Sequence, residues 1–551
     1  MMRRARPARS SLFAAIVLVA LAVVSGASAA ASVKARPAFL GPMLANVRSL
    51  ERTRAPAGIL VEFKRDRRGL AGERVARFAG GRVVSRRLHI WLLRASVARR
   101  LLPTLLHAES LAGAEPNKFL SENRVFEFSD PLWHYEWWRA DVGADSLVAP
   151  APGVPITIID SGVDISHPEF QGAHITLLNQ QSLHDGGEEE HGTAVTSIAA
   201  APANGIGMVG IYPAANVWEW DAHALTLGDV IAALDAVERR GPSVINMSFG
   251  STAYSALLEQ AILEAFGSGS IIVAAAGNDG DRGNPLEYPA SLPHVLTVAS
   301  SDEQNKPSTF SNFNAAVDLA APGQDIVVAA PLSIFANGWA EGDGTSFAAP
   351  MVSAAAAWVW NQRRNLDDTQ IFDLMRFSAK DISTPGYDTA TGFGLLDLPA
   401  ALTHPAPTRD PGEPNDDIYM VKKNGLFASG EPPLTAPGHP FASLSARVDF
   451  TEDPEDVYRV YVPAHMSVHV RVVGDGNVDL ELWRPRALSV LERGSAQHRD
   501  LIGASTNAGT TPDTLSARNT TRSASYVYAD VFPARSVASA GYTITVTTTR
   551  R

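Results

Sequence analysis

The chain has 551 residues, too many for one ordinary domain, and 45% of them are hydrophobic, enough to fill more than one core. It contains no cysteine, which excludes a thiol nucleophile, a thiolate metal site and disulfide stapling. The charge is uneven: residues 32–125 carry 19 Lys and Arg against 7 Asp and Glu, whereas the whole chain sums to −11.

From the N-terminus, Arg3, Arg4, Arg6 and Arg9 precede an apolar stretch over residues 12–24, and Ala27-Ser28-Ala29 follows as a small-residue cleavage site. Residues 1–31 read as a secretory signal peptide, because the apolar run is too short for a spanning helix and small residues follow it. No other stretch is apolar and long enough to span a bilayer, so the expected location is secreted (extracellular), with no membrane anchor. Residues 32–128 alternate short patterns: strands over 58–63 and 88–93, helices over 70–78 and 95–106, and a closing strand over 124–128. This basic α+β unit precedes an acidic body, so the two are expected to bind each other. Its arginines are interleaved with a globular pattern, which argues against nucleic acid as a partner. Residues 130–138, rich in aromatics, are expected to dock on the body that follows.

Four short segments then carry chemistry. Val154-Pro155-Ile156-Thr157-Ile158-Ile159 ends in Asp160-Ser161-Gly162, the pattern of a buried parallel strand with a carboxylate at its C-terminal edge. His191-Gly192-Thr193 opens a small, apolar run, which places the imidazole at the start of a buried helix. Residues 271–276 form a second buried strand that ends at Gly277-Asn278. Gly344-Thr345-Ser346-Phe347-Ala348-Ala349-Pro350 opens an alanine-rich helix, with Ser346 at the end where backbone N–H groups and the positive dipole gather. Singly, Asp-Ser-Gly or Gly-Asn is a turn or a cap. In this order the four supply an acid to orient an imidazole, an imidazole to act as base, an amide to hold an oxyanion and a hydroxyl to attack.

In these motifs the chain resembles the subtilisin-like serine peptidases (subtilases, the S8 peptidase family). The resemblance implies a doubly wound, mostly parallel α/β catalytic domain over residues 129–402, with Asp160, His191 and Ser346 catalytic and Asn278 an oxyanion donor. It also implies that residues 32–128 are a prosegment, an inhibitor and folding template, cut off near residues 124–131; a basic surface domain that stays attached is the other reading. By the same resemblance Ser248, Phe249 and Gly250 pair with an extended substrate, and Ala275, Ala276 and Gly277 form the facing wall. Small lining residues suit a large apolar or aromatic side chain. Asp279 and the acidic run over 185–190 favour basic side chains instead, or form a solvated loop. Glu169, where the family carries Asp, and Asn204 resemble a family calcium site of hard oxygen ligands; a turn closed by its own hydrogen bonds is the alternative. No cofactor is required for the chemistry, and calcium is expected as a structural ion.

The catalytic domain is expected to end near residues 394–397, and proline-rich residues 403–412 read as a linker. Residues 413–551 hold alternating Thr- and Val-rich stretches without a helical pattern of any length, which argues for a β-sandwich or jelly roll. In Glu413-Pro414-Asn415-Asp416, Asp453-Pro454-Glu455-Asp456-Val457-Tyr458, Asp479-Leu480-Glu481-Leu482-Trp483 and Gly541-Tyr542-Thr543-Ile544-Thr545-Val546 this region resembles bacterial pre-peptidase C-terminal domains. That implies removal after secretion, or binding to a surface or polymer; its carboxylates suit calcium and acidic turns equally. The expectation is a secreted serine endopeptidase acting through an acyl-enzyme and made as a self-processing zymogen, its partners polypeptide substrates and its own prosegment. A narrow-specificity processing protease, and a non-catalytic exported binding protein on a peptidase scaffold, are the alternatives.

Overall fold

The computed structural model describes residues 59–116, 128–180, 189–534 and 539–550, apart from residues 88, 109 and 224. The signal peptide, residues 124–127 of the closing strand and residues 185–188 of the acidic run lie outside the described residues. The chain divides into two units, residues 1–122 and 123–551.

The first unit is one antiparallel sheet with two helices. Its elements are β1 (Ile59–Phe63), α1 (Arg67–Phe78), β2 (Arg82–Ser85), β3 (Ile90–Leu93), α2 (Ala95–His107) and β4 (Leu111–Pro116), with strand order β2-β3-β1-β4. Helix α1 starts a turn earlier than its apolar pattern, because Asp66 caps it by accepting the Gly69 N–H at 2.8 Å. Val61, Phe63, Trp91, Leu93, Leu102 and Leu105 form its core. The fourth strand is Leu111–Pro116, a stretch the sequence pattern did not single out.

The second unit is built on a sheet of seven parallel strands: β5 (Ile156–Asp160), β6 (His174–Leu177), β7 (Asn216–Asp221), β8 (Val244–Met247), β9 (Ile271–Ala275), β10 (Val295–Ser301) and β11 (Leu319–Pro322). Their order is β11-β10-β9-β8-β5-β7-β6. After β5 the chain runs to the edge at β6, returns as β7, and crosses to the other side of β5 as β8. The order reverses at β5, and open α/β sheets place ligands beyond the strand C-termini at such a point. Every residue of β5, β8 and β9 is buried, as parallel strands covered on both faces require, which is why they read as unbroken apolar runs.

The covering helices are α3 (Glu189–Ala200), α4 (Leu227–Glu238), α5 (Ala256–Gly267), α6 (Thr345–Gln362) and α7 (Asp368–Phe377), with a hairpin of β12 (Ile326–Ala329) and β13 (Trp339–Gly342). Alanines at most core-facing positions let α6 lie close on β8, β9, β10 and α3. Trp138 and Val142 of the leading segment are buried in the same core.

The C-terminal region holds two four-stranded antiparallel sheets. One has β14 (Phe441–Asp449), β16 (Ser467–Gly474), β19 (Asp513–Arg518) and β21 (Ser539–Thr549); the other has β15 (Asp456–Val462), β17 (Val478–Trp483), β18 (Leu501–Ser505) and β20 (Ser525–Pro533). Alternate residues of both, among them Val468, Val546, Val460 and Leu480, share one core. Residues 403–412 have no regular structure beyond the end of the short helix Leu398–Thr403, yet they are pinned: Gln370 donates to the Pro407 carbonyl, and Asp410 accepts the Arg447 N–H at 2.7 Å. Buried Arg376 of α7 pairs with Asp318 and with Asp449 of β14, each at 2.8 Å. No helix among the described residues is long and apolar enough to cross a membrane.

Candidate active site

Asp160 ends β5 fully buried, and His191 lies in the first turn of α3. The His191 Nδ1 is 2.9 Å and 3.1 Å from the two Asp160 carboxylate oxygens. A proton on Nδ1 satisfies that pair and leaves Nε2 as the basic nitrogen. The approach needs a glycine: a Cβ at Gly192 would lie 2.1 Å from the Gly162 carbonyl oxygen, so the His-Gly pair is a packing requirement. The imidazole stacks on Phe347, 6.3 Å between centroids, which brings it beside the head of α6.

Ser346 is the second residue of α6. Pro350, inside the helix, has no N–H to give to the Ser346 carbonyl one turn back. The Ser248 hydroxyl fills that place at 2.9 Å, and the Ser346 Oγ donates to the Ser248 carbonyl at 3.1 Å. Asn278 follows β9, and its Oδ1 accepts both the N–H and the hydroxyl of Thr345, at 2.9 Å and 3.0 Å. With Oδ1 committed, the Nδ2 is presented as a donor. A Cβ at Gly344 would stand 3.7 Å from that Nδ2 and 3.6 Å from the Ser346 N, so both donors border one small space. An oxyanion entering that space would need both donors within about 2.7–3.1 Å.

Ser248, Phe249 and Gly250 continue β8, while Ala276 and Gly277 continue β9, so the two expected walls flank neighbouring strand ends. Both are tied to the helix that carries Ser346, the first through Ser248 and Ser346, the second through the Gly277 N–H on the Thr345 hydroxyl at 3.2 Å. Glu287, which sequence reasoning missed, reaches the glycines of both walls. Its place is set by Ser251 and Tyr288, which exchange main-chain hydrogen bonds at 2.9 Å and 2.8 Å. No local motif announces that pairing.

Glu169 and Asn204 do meet, but through amide donors. The Asn204 Nδ2 gives to the Glu169 and Gln171 carbonyls, and its Oδ1 accepts the Ile206 N–H. The Glu169 Oε2 accepts the Met208 N–H and the Trp339 indole, at 2.9 Å and 2.8 Å, and burial pushes its pKa up to about 8. Two N–H groups converge on Oε2, while the buried Oε1 has no hydrogen-bond partner, so a turn closed by its own hydrogen bonds accounts for one oxygen of this carboxylate and not for the other. Behind Asp160 lies Glu219 of β7, fully buried, 2.5 Å from the Thr196 hydroxyl; burial, with the Asp160 charge adding, holds its pKa well above the carboxylate range.

A second carboxylate group lies where the C-terminal region meets the catalytic core. Asp410, Glu413, Asp453 and Asp456 bring one oxygen each within 4.8 Å of one another. Buried oxygens of Asp410, Asp453 and Asp456 have no hydrogen-bond partner. Hard oxygens gathered this way suit calcium.

Residues 151–394 match the model of the subtilase family. The chain is 34% identical over 313 residues to the thermophilic serine proteinase of Bacillus sp. (strain AK1), covering 52% of this chain and 75% of that protein. It is 32% identical over 284 residues to the minor extracellular protease Epr of Bacillus subtilis (strain 168), covering 50% of this chain but only 42% of that relative. Among solved structures, the psychrophilic subtilisin-like protease Apa1 from the Antarctic psychrotroph Pseudoalteromonas sp. AS-11 is 19% identical with a TM-score of 0.43, covering 49% of this chain and 99% of that one. The basic unit and the C-terminal sheets both lie outside the residues matched by the family model.

Proposed function

Since the chain belongs to the subtilase family, we propose that it is a secreted serine endopeptidase, made as a zymogen, whose acyl-enzyme forms on Ser346. The observation that carries the proposal is the Asp160–His191 pair beside the head of α6, where Ser346 and Asn278 border one space. As a peptide carbonyl enters that space, the Ser346 hydroxyl leaves the Ser248 carbonyl and His191 Nε2 takes its proton. Asn278 Nδ2 and Ser346 N–H hold the oxyanion, and Asp160 stabilises the imidazolium. His191 then protonates the leaving amine, and a water repeats the sequence on the acyl-enzyme.

The signal-peptide pattern supports secretion, and the basic charge of residues 32–125 against an acidic body supports a prosegment that binds the rest of the chain. We assign residues 413–551 to an appended β-sandwich of the pre-peptidase C-terminal kind, suited to a surface or polymer. We place a structural calcium ion at Asp410, Glu413, Asp453 and Asp456, where it would neutralise clustered charge.

The test compares the full chain with its Ser346→Ala variant by intact mass, N-terminal sequence and labelling with a serine-directed phosphonate. The expected wild type is labelled and trimmed near residues 124–131, while the variant stays full length and unlabelled. A wild type that stays intact overturns self-processing; one that also takes no label after limited proteolysis has removed the basic unit is a binding protein on a peptidase scaffold.

A further inference from the structure

The two walls beside Ser346 converge on one carboxylate. Gly250 and Gly277 have no side chains, and the Glu287 carboxyl occupies the room between them: a Cβ at Gly250 would lie 2.4 Å from its Oε2, and a Cβ at Gly277 would lie 2.8 Å from its Oε1. We propose that Glu287 makes this enzyme select Arg or Lys as the residue whose carbonyl is attacked, an assignment that rests on the serine-peptidase reading above.

A main-chain bridge holds the carboxylate there. Ser251 and Tyr288 bond each other's backbones, and Ser291 donates to the Glu287 carbonyl at 2.8 Å. Among the described residues, no hydrogen bond or ion pair engages the Glu287 side chain, although it is half-buried. The neighbouring Asn312 amide gives one of its two N–H donors to the Pro285 carbonyl at 2.9 Å. Asp279, the nearest charge on the adjoining loop, has the same sign. Arg282, the cation of that loop, lies 3.7 Å from Asp279 and 3.8 Å from Asp281. A half-buried carboxylate without a cation is costly, and a guanidinium or ammonium from the substrate would relieve it.

The position also fits the chemistry of attack. One wall is bonded to Ser346 itself and the other to Thr345, so a side chain passing between them belongs to the residue whose carbonyl lies at Ser346 Oγ. Glycine and alanine at the walls put no large side chain in the way of an extended basic one, and the carboxylate where they meet supplies a charge-assisted partner. A large apolar or aromatic side chain, the alternative suggested by small lining residues, would strip water from that carboxylate and give nothing in return.

The experiment uses self-processed enzyme from the full chain, its active sites counted with the phosphonate probe so that misfolded protein drops out. Peptides identical except for Arg, Lys, Gln or Phe before the scissile bond are compared by kcat/KM. Arg and Lys are expected to lead Phe by about 10-fold or more. The Glu287→Gln variant should lose about 10- to 100-fold on Arg and Lys and gain on Phe, which then buries no unpaired carboxylate, so that the preference for Arg over Phe collapses. Independently of any variant, benzamidine should inhibit the wild type competitively. A labelled enzyme that prefers Phe, that loses activity equally on all four peptides in the variant, or that ignores benzamidine overturns the assignment alone. A chain that takes no label and cleaves no peptide overturns the peptidase reading and this assignment together.

Discussion

Ser248 and Ser346 are joined by two hydrogen bonds: the Ser346 Oγ donates to the Ser248 carbonyl at 3.1 Å, and the Ser248 hydroxyl donates to the Ser346 carbonyl at 2.9 Å. The second bond replaces the helical one that Pro350 cannot make. The Asn246 amide donates to the Ser248 hydroxyl at 2.9 Å, and the Ser353 hydroxyl holds Asn246 at the same distance, so Ser346 is the end of a buried chain. Ser248→Ala leaves the Ser346 carbonyl and the Asn246 amide without these partners. Each orphaned group costs about 1–3 kcal/mol. Thermal unfolding of Ser248→Ala in a Ser346→Ala background, where autolysis is absent, should show a lower midpoint than the background alone. An unchanged midpoint would mean that the hydroxyl of Ser248 is idle.

Asn278 is aimed by Thr345, and the two can be separated from folding through Gly344. Replacing Asn278 with Leu removes one oxyanion donor, with an expected loss of about 100- to 1,000-fold in kcat at little change in KM, a magnitude carried over from subtilisin. Gly344 has an extended backbone, φ 164° and ψ 149°, that any residue adopts. Gly344→Ala should therefore fold normally while its methyl crowds the space between Asn278 Nδ2 and Ser346 N. The expected result is a lower kcat at an unchanged unfolding midpoint. Full activity in Gly344→Ala would show that the oxyanion sits elsewhere.

How much was legible follows from where each residue gets its constraint. Asp160 and Asn278 sit at the ends of strands buried on both faces, so a continuous apolar run marks them, and the helix of Ser346 is marked by its alanines. Helix α1 starts ahead of its apolar pattern because its boundary is a hydrogen bond to Asp66, which periodicity does not register. Glu287 was invisible because its neighbours Gly250 and Gly277 reach it through a pairing of Ser251 with Tyr288, distant in sequence. Proline content made residues 403–412 read as a linker, yet the anchor of that segment is Asp410 on the Arg447 N–H, a tertiary contact. Glu169 and Asn204 lie together, while the direction of the amide that joins them depends on the Ile206 N–H and the Trp339 indole, which their motif does not register.

Glu219 gives a pH dependence with a definite sign. The Thr196 hydroxyl lies 2.7 Å from the Gly192 carbonyl and 2.5 Å from Glu219, and it has one proton; a protonated Glu219 makes both contacts hydrogen bonds. Below about pH 4.3 the folded and unfolded chains both hold this proton, and its contribution to stability is complete. As pH rises, the unfolded chain releases the proton while the folded chain retains it, so stability falls until the raised folded pKa is reached. Glu219→Gln keeps a donor and removes the titration. Between pH 4 and 9, the unfolding midpoint of Ser346→Ala should decline more steeply than that of the Glu219→Gln double variant. Parallel curves would mean that Glu219 releases its proton at the same pH in the folded and the unfolded chain, so that burial does not raise its pKa.

The carboxylates at the C-terminal junction predict a response to chelation. Asp410 lies on the segment leading out of the catalytic core, while Asp453 and Asp456 belong to the turn before β15 and its first residue. With one oxygen of each within 4.8 Å of the others and no cation to share, repulsion would fall on one another and on the junction. A calcium ion binding only the folded chain adds stability that grows with its concentration. Dialysis of the Ser346→Ala chain against a chelator should lower its unfolding midpoint, and calcium should restore it while magnesium, which demands tighter octahedral geometry, does so less. Asp453→Asn with Asp456→Asn should fold and show a midpoint indifferent to calcium. The same calcium shift in wild type and double variant would place the ion elsewhere, and no shift in either would leave these acids held by shared protons rather than by a metal.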